Sequence, residues 1–405
     1  MPRMAFHCSM TPGAGGGITY YHALKAGLAR QGWEVLAVAA GAEAARGYDH
    51  GLADAGCYLL APTTDSIPDA IDSLCAWLQE HRVDVYHAGG MGDIGTLALP
   101  HIPAGIRTLV SVHDNPRRAL RIATAHHHHV DQYVCVNPVQ HEGLRRLVPQ
   151  RTQVAFIAHG VTCPEERPAP RPASPDVLEL GYLGRVSRGK KGADLIVPIA
   201  QLLVEAEVRF RWRVAGTGSY VTELRQKVCH AGMESHFALL GQLSPRKVST
   251  FLASTDVFLF PSLFEAFGYS LAEAMAHGCA VVASRLRGVT DMLIEDGDSG
   301  LLADPGNAAD FAAKVQQLAS HPELLARLGR NAAERIATHF SVAAMGEGYA
   351  NVLAAMQQRP SQRAAPVPLA RFRIPRTFQP TWRRHIPPVW KEWLRARTAR
   401  WGWNL

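Results

Sequence analysis

Short apolar runs alternate with helix-like stretches along nearly the whole of this 405-residue chain, and that alternation restricts it to one class of fold. In the first half the runs are MAFHCS, EVLAVAA, CYLLAP, VDVYHAG, TLVSVHD, QYVCVN and VAFIA. In the second half they are LELGYLG, FRWRVAG, FALLG, VFLFP, AVVAS and GLLAD. Stretches such as Ile18 to Gln31 and Asp69 to His81 lie between them with helical spacing of apolar residues. Strand and helix in alternation predict a mostly parallel sheet with helices on both faces. Proline-rich Pro164 to Pro175 separates the halves and reads as a linker. The expected architecture is α/β, with two doubly wound domains facing each other across a cleft: residues 1–163, a linker at 164–176, and residues 177–340.

Length and composition agree. At about 150 residues per domain the chain holds two or three, with apolar content for two cores. No run approaches the roughly 18 apolar residues of a membrane span, and the start MPRMAFHCSM lacks a charged segment followed by an apolar one. A cytoplasmic protein is expected. The seven cysteines (Cys8, Cys57, Cys75, Cys135, Cys163, Cys229, Cys279) are odd in number, scattered and never spaced C-x-x-C. They read as reduced, mostly buried thiols, not as a disulfide framework or a zinc site.

Chemistry concentrates in the second half. Phe260 to Ser284 reads strand, loop, helix, with Glu265 and Glu273 separated by seven residues and Gly268 between them. Bare backbone at Gly268 lets a ligand approach the first helical turn, where N–H groups and the helix dipole favour a phosphate. Glu265 precedes that turn and Glu273 follows it, so a carboxylate can reach each side of the phosphate and accept from sugar hydroxyls. Solvated helix charges would have the same spacing. Upstream, Leu178 to Gly192 (LELGYLGRVSRGKKG) sets Arg185, Arg188, Lys190 and Lys191 at the carboxyl end of a strand, where open parallel sheets bind ligands. Fork and point-charge cations together suit a diphosphate. Gly216 and Gly218 again follow a strand, without the third glycine of a dinucleotide fingerprint.

In this order the three segments resemble the carboxyl-terminal half of GT-B glycosyltransferases, specifically the large retaining group called family 4. The resemblance implies two Rossmann-like domains and a sugar-nucleotide donor. It implies that Arg185 and Lys191 hold the diphosphate, Glu265 the sugar hydroxyls and Glu273 the ribose, with backbone amides around Phe267 and Gly268 meeting sugar and phosphate. The interval from Arg185 to Lys191 is one residue longer than the family's, so Lys190 or Lys191 could take the phosphate. The stretch Phe340 to Met356 resembles the family's closing helix, assigned to 341–358 and crossing back toward the amino-terminal domain.

The amino-terminal loop Gly13 to Gly17 (GAGGG) includes Gly16 and Gly17, donor-side candidates by the same resemblance. A cofactor-binding reading fails on spacing: the glycines do not fall as G-x-G-x-x-G, and Glu34 precedes the second strand. His113, at a strand end, lies where family members carry a histidine near the reacting sugar, although such a residue also reads as a satisfied structural group. His126 to His129 would point around a helix, which argues against a metal site. Asp296-Gly297-Asp298 spells D-x-D, yet reads as a turn before GLLAD. No cofactor and no metal are expected beyond the donor itself, because arginine and lysine can supply the charge.

The tail is unlike the rest. Residues 359–405 carry eleven Arg or Lys against one acid, Glu392, a net of +10, so the +7 of the whole chain leaves about −3 elsewhere. Trp382, Trp390, Trp393, Trp401 and Trp403 are here. Arginine beside tryptophan suits an anionic membrane surface, with peripheral attachment to the inner face of the cell membrane; packing on the amino-terminal domain is the alternative. Nucleic acid is not expected, since no recognised motif accompanies the charge. The reading is transfer of a sugar, with retention, from a UDP- or GDP-type donor to a hydroxyl of a glycan or lipid-linked acceptor, in envelope polysaccharide or lipopolysaccharide synthesis. An inactive scaffold and a GT-B epimerase stand as alternatives.

Overall fold

The computed structural model describes residues 1–8, 16–44, 56–61, 63–64, 66–89, 93–115, 117–164 and 177–378. They fall into two compact units: Met1–Gly160 with the segment that starts at Val342, and Val161–Ser341.

The first unit is a seven-stranded, all-parallel sheet in the order β3-β2-β1-β4-β5-β6-β7. Its strands are β1 (Arg3–His7), β2 (Glu34–Ala40), β3 (Cys57–Leu60), β4 (Val85–Ala88), β5 (Arg107–Val112), β6 (Gln132–Cys135) and β7 (Gln153–Phe156). Helices α1 (Gly16–Ala29), α2 (Ile67–Glu80), α3 (Ile94–Leu97), α4 (Arg117–Ala123) and α5 (Pro138–Leu147) join them. Local chemistry fixes the helix starts: Ser66 Oγ accepts from Asp69 N, and Asn137 Oδ1 from Gln140 N, each satisfying a first-turn amide. Ile71, Leu74, Tyr86, Val110 and Tyr133 are fully buried in the core. The seven apolar runs of the first half are these seven strands. Central parallel strands covered on both faces need such unbroken apolar sequence.

The second unit repeats the plan with six parallel strands ordered β10-β9-β8-β11-β12-β13. They are β8 (Leu178–Leu183), β9 (Phe210–Ala215), β10 (Phe237–Gly241), β11 (Val257–Phe260), β12 (Ala280–Ser284) and β13 (Leu301–Ala303). Helices α6 (Ile196–Glu205), α7 (Val221–His230), α8 (Pro245–Ala253), α9 (Tyr269–Ala276), α10 (Thr290–Leu293), α11 (Ala308–Ser320) and α12 (Pro322–His339) pack on it. Strand order reverses between β8 and β11, so the loops leaving them open the crevice where doubly wound sheets take ligands. The D-x-D residues form a turn: Gly297 N bonds Gly300 O, Asp296 pairs with Arg285, and Asn331 Nδ2 bonds Asp298 Oδ1. The seven cysteines are all free, and four of them are buried.

Helix α13 (Val342–Gln358) belongs to the first unit, where it lies along α1. Glycines allow the helices to touch backbone to backbone: a Cβ on Gly346 would stand 2.4 Å from Gly27 O, and one on Gly27 would stand 2.7 Å from Val342 O. Tyr20 and Tyr349 share a hydrogen bond of 2.6 Å across the same contact.

The described start of the basic tail lies on this unit too. Asp131 pairs with Arg107 at 2.9 Å and accepts from Ser361 Oγ at 2.5 Å, while Arg107 also donates to the carbonyls of Met356 and Arg359. Arg363 donates to Ile102 O and Pro103 O, and Ala364 N to His128 O. Arg359 donates to Asp131 O and Gln132 Oε1, so two of the tail's arginines are turned onto the first unit. His127–His129 form a single 3-10 turn. The five tail tryptophans, and the membrane reading that rests on them, lie outside the described residues. Among the described residues no helix is long and apolar enough to cross a membrane.

Candidate active site

In the second unit the loops after β8, β9 and β11 are packed onto one another at places where no side chain fits. Gly216, at φ +133°, would place a Cβ 1.8 Å from Gly184 O, and Gly218 would place one 2.2 Å from Val186 O. Gly192, at φ +62°, would place one 2.0 Å from Pro261 O. The positions read as donor-side glycines therefore have a structural reason: they hold the β8 and β9 loops together.

That packing brings two distant charges into contact. Lys191 ends the short 3-10 turn Gly189–Lys191, and its Nζ lies 2.6 Å from Glu265 Oε1. Glu265 is largely buried, at 11 % exposure of its side chain, whereas Lys191 is 32 % exposed. Lys190 places its Nζ 4.4 Å over the ring of Phe264, and its carbonyl accepts from Leu263 N at 2.9 Å. Arg188 pairs with Glu223 and lies over the Tyr220 ring at 5.2 Å, so it serves α7. Arg185 is exposed and makes no ion pair among the described residues; its carbonyl is fixed by Tyr182 Oη at 2.9 Å.

Gly268 starts α9 in the left-handed region, φ +95°, with no side chain capping the helix. Phe267 is buried against Tyr269 and Phe340. Glu273 lies just over a turn beyond, and burial lifts its carboxyl from 4.5 to about 7. A carboxyl shifted by burial, on the helix that follows the loop of Glu265, makes this a candidate ligand site.

His113 lies in the first unit. Its Nε2 is 2.7 Å from Ser111 Oγ, which is in turn 2.7 Å from His87 Nε2. The ring packs against Tyr20 at 4.4 Å and His159 at 5.2 Å, and burial lowers its pKa to about 4. It is thus a neutral imidazole in an aromatic cluster. Gly16 and Gly17 are the first residues of α1, not loop residues, and Gly13 to Gly15 lie outside the described residues.

Sequence reasoning missed the partners of His113 and also a second group, His7, Glu43 and Asp93. Ser111 and His113 share a strand face two residues apart, a signal that was available. The second group comes together only through sheet order.

Residues 165–335 match the family model described as glycosyl transferases group 1, and residues 15–160 match that of a glycosyl transferase 4-like domain. The chain belongs to the GT-B glycosyltransferases of the family 4 type. This glycosyltransferase is 27 % identical over 171 residues to the alpha-D-kanosaminyltransferase of Streptomyces kanamyceticus, covering 42 % of this chain and 44 % of that one. It spans less than half the length of the first curated relatives it matches. Its fold is that of Anabaena HepE, solved with UDP and glucose: TM-score 0.69 at 19 % identity, over 88 % of this chain and 100 % of that one. The lipopolysaccharide outer core galactosyltransferase WaaB, in its apo form, gives a TM-score of 0.67 at 16 % identity, over 87 % and 99 %.

Proposed function

We propose that this glycosyltransferase moves a hexose or related sugar, with retention at the anomeric carbon, from a UDP- or GDP-type donor to a hydroxyl of a glycan or lipid-linked acceptor in envelope polysaccharide or lipopolysaccharide synthesis. The observation that carries the reading is the Lys191–Glu265 pair, held beside the uncapped start of α9. It offers a cation for a phosphate next to a carboxylate for sugar hydroxyls. Arg185, exposed at the end of β8, adds a second cation for the departing diphosphate. Glu273 accepts from the ribose hydroxyls. Stabilising charge on the leaving group while the sugar becomes oxocarbenium-like is the main catalytic term, and it needs no metal at the diphosphate. The HepE complex with UDP and glucose supports a UDP donor, and WaaB supports a lipopolysaccharide acceptor.

The test is a screen of UDP- and GDP-sugars against glycan and lipid-linked acceptors, with the anomeric configuration of the product read from its proton coupling. Transfer with retention, lost in Glu265→Gln, supports the reading. An inverted product, or no nucleotide release from any donor, contradicts it.

A further inference from the structure

We propose that His7, Glu43 and Asp93 form a binding site for one divalent cation at the carboxyl edge of the first unit's sheet. His7 ends β1, Glu43 follows β2, and Asp93 precedes α3 beyond β4. Strands β2, β1 and β4 are neighbours in the sheet, so their ends converge, and one ligating atom from each residue lies within 4.8 Å of the others.

The imidazole is the observation that points to a ligand. His7 is 1 % exposed, and neither ring nitrogen has a hydrogen-bond partner among the described residues. Nε2 stands 3.6 Å from Glu43 Oε2, and Nδ1 stands 3.9 Å from Asp93 Oδ2. Both separations exceed a hydrogen bond. An imidazolium clamped by two carboxylates would draw them to about 2.7–2.9 Å. An imidazole gives one nitrogen to one ion, and the set of one ligating atom from each of the three residues, all within 4.8 Å of one another, leaves room for a single ion among them.

The carboxylates are turned toward the ring by their other oxygens. Glu43 Oε1 accepts from Ile94 N at 3.0 Å; Asp93 Oδ1 accepts from Thr96 N and Thr96 Oγ1, both at 2.8 Å. Outer bonds of this kind orient metal ligands. The ring itself is fixed against Gly95, where an added Cβ would stand 2.5 Å from His7 Cγ. One nitrogen and two carboxylates suit Mn²⁺ or Zn²⁺. A cation there ties together the ends of three strands. The proposal rests on no residue of the donor half and assigns the ion no part in binding the diphosphate.

The experiment uses the full chain, stripped with EDTA and exchanged into chelator-free buffer, then titrated with MnCl₂ while free Mn²⁺ is followed by electron paramagnetic resonance. Mn²⁺ is the probe because electron paramagnetic resonance reads its free ion directly. The account expects one Mn²⁺ per chain and a rise in Tm. Asp93→Asn and His7→Gln should lower affinity at least tenfold, and Thr96→Val about 10- to 100-fold. A folded wild-type chain that takes up no stoichiometric Mn²⁺ overturns the proposal. So does uptake undiminished in Asp93→Asn or Thr96→Val with an unchanged circular dichroism spectrum.

Discussion

Lys191 Nζ lies 2.6 Å from Glu265 Oε1, joining residues that stand 74 positions apart in the chain. The contact exists because β8 and β11 are neighbours and because Gly192 lets the loop after β8 press on Pro261. It separates the roles of two adjacent lysines that sequence alone leaves equivalent. Lys191 reaches the carboxylate; Lys190 covers Phe264 and anchors the next loop through its backbone.

Alanine at the two lysines should therefore have unequal effects. Lys191→Ala is expected to lower kcat/KM for the donor about 10²- to 10³-fold, as loss of a leaving-group cation does. Lys190→Ala keeps the carbonyl that binds Leu263 and should cost about tenfold or less. Steady-state kinetics with the donor varied would decide it, and equal losses would remove the distinction.

Glu273 makes donor binding depend on pH. Its folded pKa is raised, from 4.5 to about 7, so its contribution to stability is fully present below 4.5 and is lost as pH rises through 7, by on the order of 3 kcal/mol. In the role proposed for Glu273, ribose hydroxyls would donate to the ionised form. Nucleotide affinity should accordingly rise about tenfold between pH 6 and 8, the change in ionised fraction around a pKa of 7. Calorimetry at the two values measures this, and Glu273→Gln should flatten the dependence.

The first unit should respond to acid in the other direction. Burial lowers the pKa of His87, His113 and His159, that of His113 from 6.5 to about 4, around Ser111, Tyr20 and Tyr349. Depressed pKa values give stability that is present above 6.5 and is lost as pH falls through about 4. Hydrogen-exchange protection factors of β5 peptides, taken relative to the intrinsic rate at each pH, should fall on acidification from pH 7 to 4 well before those of β8 peptides. An equal fall in both would contradict the asymmetry.

The α1–α13 contact should tolerate no methyl group. Gly346→Ala places a Cβ against Gly27 O, a backbone atom that cannot rotate away, and should cost about 1–3 kcal/mol by chemical denaturation. Ala354→Gly, at an exposed position of the same helix, is a propensity change alone and should cost about 1 kcal/mol.

The thirteen strands were legible because each holds a short apolar run; central ones such as Val257–Phe260 and Ala280–Ser284 are unbroken, as strands covered on both faces must be, whereas Phe210–Ala215 carries two arginines. Gly268 and the two glutamates were legible because the feature lies within one strand-loop-helix segment. Contacts across the sheet were not. Glu43 follows β2 and Asp93 follows β4, and nothing between residues 43 and 93 reports that β1 inserts His7 between them. Gly16 and Gly17 read as loop because a glycine run weakens helix propensity, yet they form the first turn of α1. The contacts of Arg359 and Arg363 were not legible, because sequence does not show that the Asp131 and Ile102 carbonyls meet them.

Thermal unfolding of the full chain with and without UDP, GDP, ADP, dTDP and CMP tests the donor site most directly, since it needs no acceptor. Ligand at about 100 times its Kd adds about 2.7 kcal/mol of stability. The account predicts a rise in Tm with UDP or GDP that persists in EDTA and disappears in Arg185→Ala. No shift with any nucleotide, or a shift unchanged in Arg185→Ala and Lys191→Ala, would contradict it.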